Sequence, residues 1–197
     1  MKHRFSMPLL GVISLLLFFW GGCSKDGPGE PGGEGEYFFH FKVDGQTVSY
    51  PFTPAEQINL TAVMAHDPGS GLHVANIAGI KDITVMDQSD RLTFFLGDPK
   101  ELATAVVYSN VAGAGRTLPG IFSMAYGDSM GDLYIAAINT TDPPLYAPAV
   151  LQFTEIDQGH VSGNFSAVLK RYGTSAGRLE LLGTLTISEG SFRVPRH

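Results

Sequence analysis

One serine lies in a pattern that hydrolases use for their nucleophile. The five residues from Gly127 to Gly131 read G-D-S-M-G and match G-x-S-x-G, with Ser129 at the centre. In hydrolases this pattern works because a sharp turn between a strand and a helix exposes the serine. The residues on both sides, 121–126 and 132–139, are strand-like, so the required helix is missing. We therefore predict a hairpin loop here and no catalytic residue, with a serine hydrolase using Ser129 as the third and least favoured function.

The histidines offer one pair with metal-ligand spacing. His66 and His73 flank a predicted turn, and together with the Asp67 carboxylate they could bind a metal ion weakly. Surface histidines are the simpler interpretation of the same residues. His40 and His160 occupy the polar positions of alternating strands, so we expect both side chains to face solvent. The sequence therefore predicts neither a metal site nor a cofactor.

The single cysteine follows a short apolar leader. Lys2 and Arg4 precede an uncharged apolar run of 12 residues from Leu9 to Trp20. A membrane-spanning helix needs about 20 such residues, so this run has the size of a signal-peptide core. Gly21-Gly22-Cys23 is similar to a bacterial lipobox, in which a lipid is attached to the thiol and cleavage leaves the cysteine as the first residue. We predict a lipoprotein signal peptide over 1–22 and lipidation (palmitate) of Cys23; the alternative is an ordinary cleaved signal peptide with an incidental cysteine.

The residues after the cysteine have the composition of a tether. Residues 24–35 contain five glycines, two prolines and no apolar side chain, so nothing in them offsets the entropy of ordering. Two or three acyl chains on Cys23 would hold the protein at a membrane essentially permanently. We therefore assign 23–35 to the lipidated cysteine and its flexible tether, and 36–197 to a single folded domain.

From residue 36 onward the dominant period is that of a β-strand. Apolar residues alternate with polar ones through 37–43, 91–96, 160–170 and 179–188, as in antiparallel strands with one packed face. Asp44-Gly45 is a strong hairpin signal, and other turn signals, Glu189-Gly190 included, recur at short intervals. We predict an all-β fold, an antiparallel β-sandwich of about ten strands, with a β-barrel as the alternative.

Helix signals are confined to two short stretches. Thr53-Pro54-Ala55-Glu56 and Asp98-Pro99-Lys100-Glu101 each resemble an N-cap followed by proline and an acidic residue. They predict one or two short helical turns, the second lying within 99–106 at most. Because no long stretch has a period of 3.6 residues, the sequence argues against Rossmann, TIM-barrel and α/β-hydrolase folds.

Composition limits the partners. The chain has 197 residues, 44% hydrophobic and 16% charged, a net charge of −6 and one cysteine. Without Lys2 and Arg4 there remain 11 basic against 19 acidic residues, about −8 in all. An acidic chain has no electrostatic footprint for nucleic acid, and one cysteine excludes an intrachain disulfide framework.

Part of the chain resembles a family. Residues 151–166, L-Q-F-T-E-I-D-Q-G-H-V-S-G-N-F-S, and 185–192, L-T-I-S-E-G-S-F, are similar to a pattern in uncharacterised Bacteroidetes lipoproteins, in which V/I-S-G-x-F-S precedes a closing I-T/S-x-G-x-F. The resemblance implies a β-architecture and an outer-membrane location, periplasmic or surface-facing, and no catalytic residue. Within that group Asp128-Ser129-Met130 also resembles an O-glycosylation triplet, which makes Ser129 a candidate glycan site. From their positions in these strands, Gly163 and Gly190 are interpreted as bulge or turn glycines. Phe165 and Phe192 are interpreted as core residues.

These observations predict a lipid-anchored cell-envelope protein that is not an enzyme. The first hypothesis is a noncatalytic binding, adhesion or accessory module with an unknown protein or glycan partner, and it predicts an exposed apolar patch or an unpaired edge strand. The second is a module that binds glycans or a small apolar ligand. A glycan site of that kind predicts two or more exposed tyrosines or phenylalanines lining one groove.

Overall fold

The computed structural model describes residues 37–53 and 58–197. The predictions for the signal peptide (1–22), Cys23, the tether and the turn at Thr53-Pro54-Ala55-Glu56 therefore lie wholly or mostly outside the described residues. The described part contains eleven strands: β1 Phe38–Val43, β2 Gln46–Pro51, β3 Leu60–Asp67, β4 Leu72–Ile80, β5 Arg91–Asp98, β6 Val107–Ser109, β7 Ile121–Gly127, β8 Leu133–Ala137, β9 Ala149–Ile156, β10 His160–Ser175 and β11 Arg178–Pro195. One 3₁₀ segment, Ile83–Gln88, is the only helical element of these residues. The all-β prediction is confirmed.

The strands form one antiparallel sheet that bends back on itself. Its order is β2-β1-β11-β10-β8-β7-β5-β4-β3, with β9 paired to the first half of β10 and β6 paired to β9. The end of β11 reaches β3, where the His197 backbone N–H donates to the Ala62 carbonyl at 2.9 Å. The sheet is thus nearly closed, and both the sandwich and the barrel descriptions fit it.

The hairpin turn between β1 and β2 forms where the sequence predicts it. Asp44 and Gly45 have φ values of 48° and 83°, the left-handed pair that a two-residue turn needs to match the twist of its strands. The alternation before this turn places Phe39 and Phe41 in the core, almost fully buried. The β1–β2 register pairs the buried Phe39 with the buried Tyr50, so the pairing of the two strands matches the burial of their side chains.

The core is built on a reciprocal packing of glycine and phenylalanine between the two longest strands. Gly163 pairs with Phe192, and Phe165 pairs with Gly190, two positions apart on the same face of β10 and β11. A Cβ on Gly190 would lie 2.5 Å from the Phe165 ring, and one on Gly163 would lie 2.8 Å from the Phe192 ring. Each ring thus occupies the space that the opposite glycine leaves free, which gives the repeated G-x-F pattern its physical meaning.

Two predicted features of the backbone are corrected. No helix forms within 99–106, because the backbone donors there find other partners: Ala103 N–H donates to the Tyr108 hydroxyl at 3.0 Å and Ala105 N–H to the Phe153 carbonyl at 3.2 Å. Glu189-Gly190 is not a turn. It is a bulge inside β11, where Glu189 has a φ of 51° and the register with both neighbours shifts.

Two buried asparagines join strands that are distant in sequence. The Asn110 amide donates to the carbonyls of Ala137 and Ala147, both at 2.9 Å, and its oxygen accepts from Ala149 N–H at 2.8 Å. Asn59 makes the same kind of three-way contact beside the end of β2. Such contacts satisfy buried backbone groups that the sheet ladders leave unpaired. Among the described residues no helix is long and apolar enough to cross a membrane.

Candidate functional site

The strongest candidate for a contact surface is the end of the β10–β11 hairpin. All residues from Thr174 to Leu182 are exposed, and we call this segment the hairpin tip. Leu179, Leu181 and Leu182 are 56%, 49% and 51% exposed. Within the described chain, the tip strands pair only with each other, so both outer strand edges are open. Exposed leucines beside open edges are the feature predicted for an interaction module.

The base of this hairpin is held firmly against the sheet. Arg171 forms an ion pair with Asp132 and lies 5.9 Å from the centre of the Tyr134 ring. The Tyr172 hydroxyl donates to the Leu145 carbonyl at 2.6 Å. Gly173 lies under Leu182, since a Cβ there would come within 2.6 Å of the leucine Cδ1. These contacts fix the direction in which the tip leaves the body.

The alternation of 179–188 predicted this strand but not its exposure. Leu185 and Ile187 are buried as expected, whereas Leu179 and Leu181 are not. A register shift within β11 moves the latter two to the opposite face of the sheet, and no other strand reaches them. A sequence signal was available: Leu181-Leu182 breaks the alternation, and the structure has a register shift at that point.

Ser129 lies in the exposed turn between β7 and β8. The Asp128 carboxylate accepts from the backbone N–H groups of Met130 and Asp132, each at 2.9 Å, and this organises the turn. The hairpin loop predicted here is confirmed. Within the described residues no histidine contacts Ser129, so the geometry gives no support to a hydrolase. O-glycosylation of Ser129 stays a prediction, for which the exposed turn is suitable.

His160 is buried, which corrects the prediction that it faces solvent. Its Nε2 lies 2.9 Å from Glu155 Oε2 and its Nδ1 lies 2.8 Å from Asp157 Oδ2. The Nε2 contact does not have the geometry of a hydrogen bond. The backbone N–H of His160 donates to Asp157 and lowers the pKa of that carboxyl. His40 is exposed, as predicted.

Glu155, Asp157 and His160 have ligand atoms within 4.8 Å of one another and could by residue type hold a metal ion. Contacts within the group already engage both carboxylates. The Arg193 guanidinium lies 3.1 Å from Glu155 Oε2 and opposes a second cation. We interpret the group as an ion network that closes the β9–β10 turn.

His66 and His73 are brought together, while the Asp67 carboxylate is engaged by the turn between them. The two histidines are direct partners in the β3–β4 ladder, and their ring centroids are 4.7 Å apart. Both Asp67 oxygens serve the turn: Oδ1 accepts from Gly69 N–H at 3.1 Å, and Oδ2 accepts from the Ser70 hydroxyl at 2.5 Å. The two histidines that the sequence singled out are thus adjacent, and metal binding by them stays a hypothesis.

A polar groove on the outer face of the sheet does not meet the aromatic criterion for a glycan site. It has a volume of about 390 Å³, and its side chains include Gln152, Asn164, Ser166 and Ser191. Phe165 is the only aromatic residue along it and is almost fully buried. The described interior, in turn, is filled with aromatic rings such as those of Phe39 and Phe94, 6.1 Å apart, so the structure does not favour an apolar ligand held there.

Comparison with known proteins assigns neither a family nor a function to this chain. No family model, no curated protein and no solved structure matches the chain. The functional argument therefore depends on the sequence patterns and on the geometry described above.

Proposed function

We propose that this chain is a lipid-anchored protein of the bacterial cell envelope that acts without catalysis, as a binding or accessory module, through its hairpin tip. The observation that carries the proposal is the group of three half-exposed leucines on a strand pair with open edges. The leader and lone Cys23 support the anchor, and the resemblance to Bacteroidetes lipoproteins supports an outer-membrane location. Glycan binding is the weaker alternative, because the polar groove lacks exposed aromatic rings.

The positions of the tether and the tip support a partner that lies away from the anchoring membrane. The described chain starts at Tyr37, and Phe38 pairs with Arg193 near the end of β11. Leu179 lies fourteen residues back along the same strand, a path of about 45 Å at 3.3 Å per residue. The first described residues and the tip therefore lie at opposite ends of β11, and this separation supports a partner other than the bilayer that would hold Cys23.

The chemistry of the tip favours a protein partner. Open strand edges offer backbone N–H and C=O groups that another strand can pair with, and alternating side chains provide specificity in such pairing. Burying the exposed half of each leucine would contribute about 1 kcal/mol, or about 3 kcal/mol in all. Arg178 and Glu180 on the same strand add polar contacts at the rim. We expect the partner to contribute a strand edge beside an apolar pocket.

The anchor is tested by intact-mass analysis of the protein from the membrane fraction of its native host. We expect a chain that starts at Cys23 and carries the mass of a diacylglyceryl group, with or without a third acyl chain. Cys23→Ser should move the protein to the soluble fraction without changing its fold. A chain that starts elsewhere, or one with a free thiol in the same fraction, would contradict the anchor.

The tip is tested separately by site-specific photo-crosslinking in intact cells. A photoreactive residue at position 180 should give one adduct of defined mass, and the same residue at position 129, in another exposed turn, serves as the matched control. Changing Leu179, Leu181 and Leu182 to serine should remove the adduct at position 180. Equal labelling at both positions, or labelling that persists in the triple variant, would refute the assignment of the tip and leave the anchor untouched.

A further inference from the structure

We propose that His66 and His73 form a binding site for a late first-row transition-metal ion, Cu(II) in particular, with the Met64 thioether as a neighbouring donor. The proposal does not depend on the lipid anchor or on the hairpin tip. It rests on a cross-strand pair of imidazoles that lines a hollow together with the thioether of Met64.

The ladder positions both imidazoles for one ion. Direct cross-strand partners have their side chains on the same face of the sheet, and here that face carries Ala62 and Ala75 into the core. An imidazole nitrogen binds such an ion at about 2.0–2.1 Å, so the ion lies about 3.2 Å from the ring centroid. Two rings that share an ion at an angle of about 90–110° then have centroids about 4.5–5.2 Å apart. The observed separation of 4.7 Å lies in this range.

The hollow beside the pair supplies one further donor, a thioether. It has a volume of about 210 Å³, and Met64 and Glu101 lie along it with both histidines. Met64 is two residues before His66 in β3 and therefore shares its face of the strand. Arg196 also borders the hollow, but its guanidinium donates to the Asp157 carbonyl at 2.7 Å. The Met64 thioether is thus the donor available beside the two imidazoles, whereas the Glu101 carboxylate does not form a three-ligand cluster with them.

The donor set selects the class of metal. Calcium and magnesium require mainly oxygen ligands, of which the hollow has few. Imidazole suits zinc, nickel and copper, and divalent affinities at such sites generally rise to a maximum at copper. The Met64 thioether is a soft ligand that favours Cu(I), so the same site has donors for both oxidation states of copper.

The test is a titration of the full chain, purified in detergent, with CuCl₂, followed by electron paramagnetic resonance. His3→Ala is included throughout, because an N-terminal Met1-Lys2-His3 with a free amine would itself chelate Cu(II). We expect one equivalent to give a signal with nitrogen hyperfine structure. His66→Gln and His73→Gln should each weaken binding about tenfold or more, whereas His40→Gln, a change at an exposed histidine of β1, should leave it unchanged.

The controls separate loss of ligand from loss of fold. Far-UV circular dichroism of each variant should match that of the parent, because His66 is exposed and His73 is half-buried. Cu(I) is formed by adding ascorbate without oxygen, and its affinity is measured by competition with a colorimetric Cu(I) chelator. Met64→Leu should weaken Cu(I) binding more than Cu(II) binding. Tight Cu(II) binding that survives both histidine changes, or no binding to the folded parent, would overturn the site, and unchanged Cu(I) affinity in Met64→Leu would remove Met64 from it.

Discussion

A single methyl group at Gly190 should destabilise the protein strongly, and only when Phe165 is present. The Cβ of Gly190→Ala would lie 2.5 Å from two atoms of the Phe165 ring and 2.7 Å from a third. Contacts this short force the ring to move by about 1 Å into a core packed as densely as a molecular crystal. The ring has little room, because Phe94 and Phe192 lie with their centroids 4.9 and 6.2 Å away.

The expected cost follows from this geometry. Overpacking a core costs about 1–3 kcal/mol, and the three contacts with one rigid ring put Gly190→Ala near the upper end, about 2–3 kcal/mol. For a domain of this length that corresponds to a fall in Tm of about 5–10 °C. Phe165→Ala alone should cost about 3–5 kcal/mol. In the Phe165→Ala background the added methyl meets empty space, so the second change should cost less than about 0.5 kcal/mol.

The assay is a double-mutant cycle from urea unfolding followed by circular dichroism. Gly69→Ala is the matched control, because Gly69 lies in an exposed turn where the nearest atom to an added Cβ is 3.4 Å away. It should change the free energy of unfolding by no more than about 0.5 kcal/mol. A Gly190→Ala variant as stable as Gly69→Ala, or one equally destabilised with and without Phe165, would refute the reciprocal packing of glycine and ring.

Two further predictions concern buried polar groups. The Tyr50 hydroxyl is buried and has no hydrogen-bond partner among the described residues, so Tyr50→Phe should raise the free energy of unfolding by about 1 kcal/mol. Tyr108→Phe should lower it by about 1 kcal/mol, since that hydroxyl accepts from Ala103 N–H; thermal melts in which both changes act in the same direction would contradict this account. Asn110→Ala should cost about 2–4 kcal/mol, because three backbone groups lose their partner, whereas Asn164→Ala, on the exposed face of β10, should be nearly neutral in the same urea assay. Equal costs at the two asparagines would count against the three-way contact.

The fold class could be predicted because the local signals agree with one another. Phe39, Phe41, Leu92 and Phe94 alternate with polar neighbours, and each is buried. The order of the strands could not be predicted in the same way. The pairing of β1 with β11 joins Phe38 to Arg193, and neither a turn signal nor an alternation specifies a contact between residues so far apart in sequence.

The local sequence signal for a helix after Asp98 was misleading, because backbone groups there bond to residues distant in sequence. Asp98 does accept from Lys100 N–H at 2.8 Å, the contact expected of a helix cap. No helix follows, because Leu102 is drawn into the core and Ala105 N–H donates to a carbonyl of β9. A helix-cap contact such as that of Asp98 specifies only the turn in which it forms. Whether a helix follows it is decided by the tertiary contacts of the next residues.

The histidines show why the candidate sites were only partly predictable. The alternation of polar and apolar residues predicts the face of a strand on which a residue lies, but not which other residues cover that face. His40 is exposed to solvent, whereas carboxylates from the adjoining strand and turn cover His160. For His66 and His73 the decisive element is the turn between them. A slip of one residue in that hairpin would send one imidazole to the opposite face, so the Asp67 contacts that hold the turn also hold the pair. Asp67 therefore contributes to the proposed site by fixing its register and not by binding the ion.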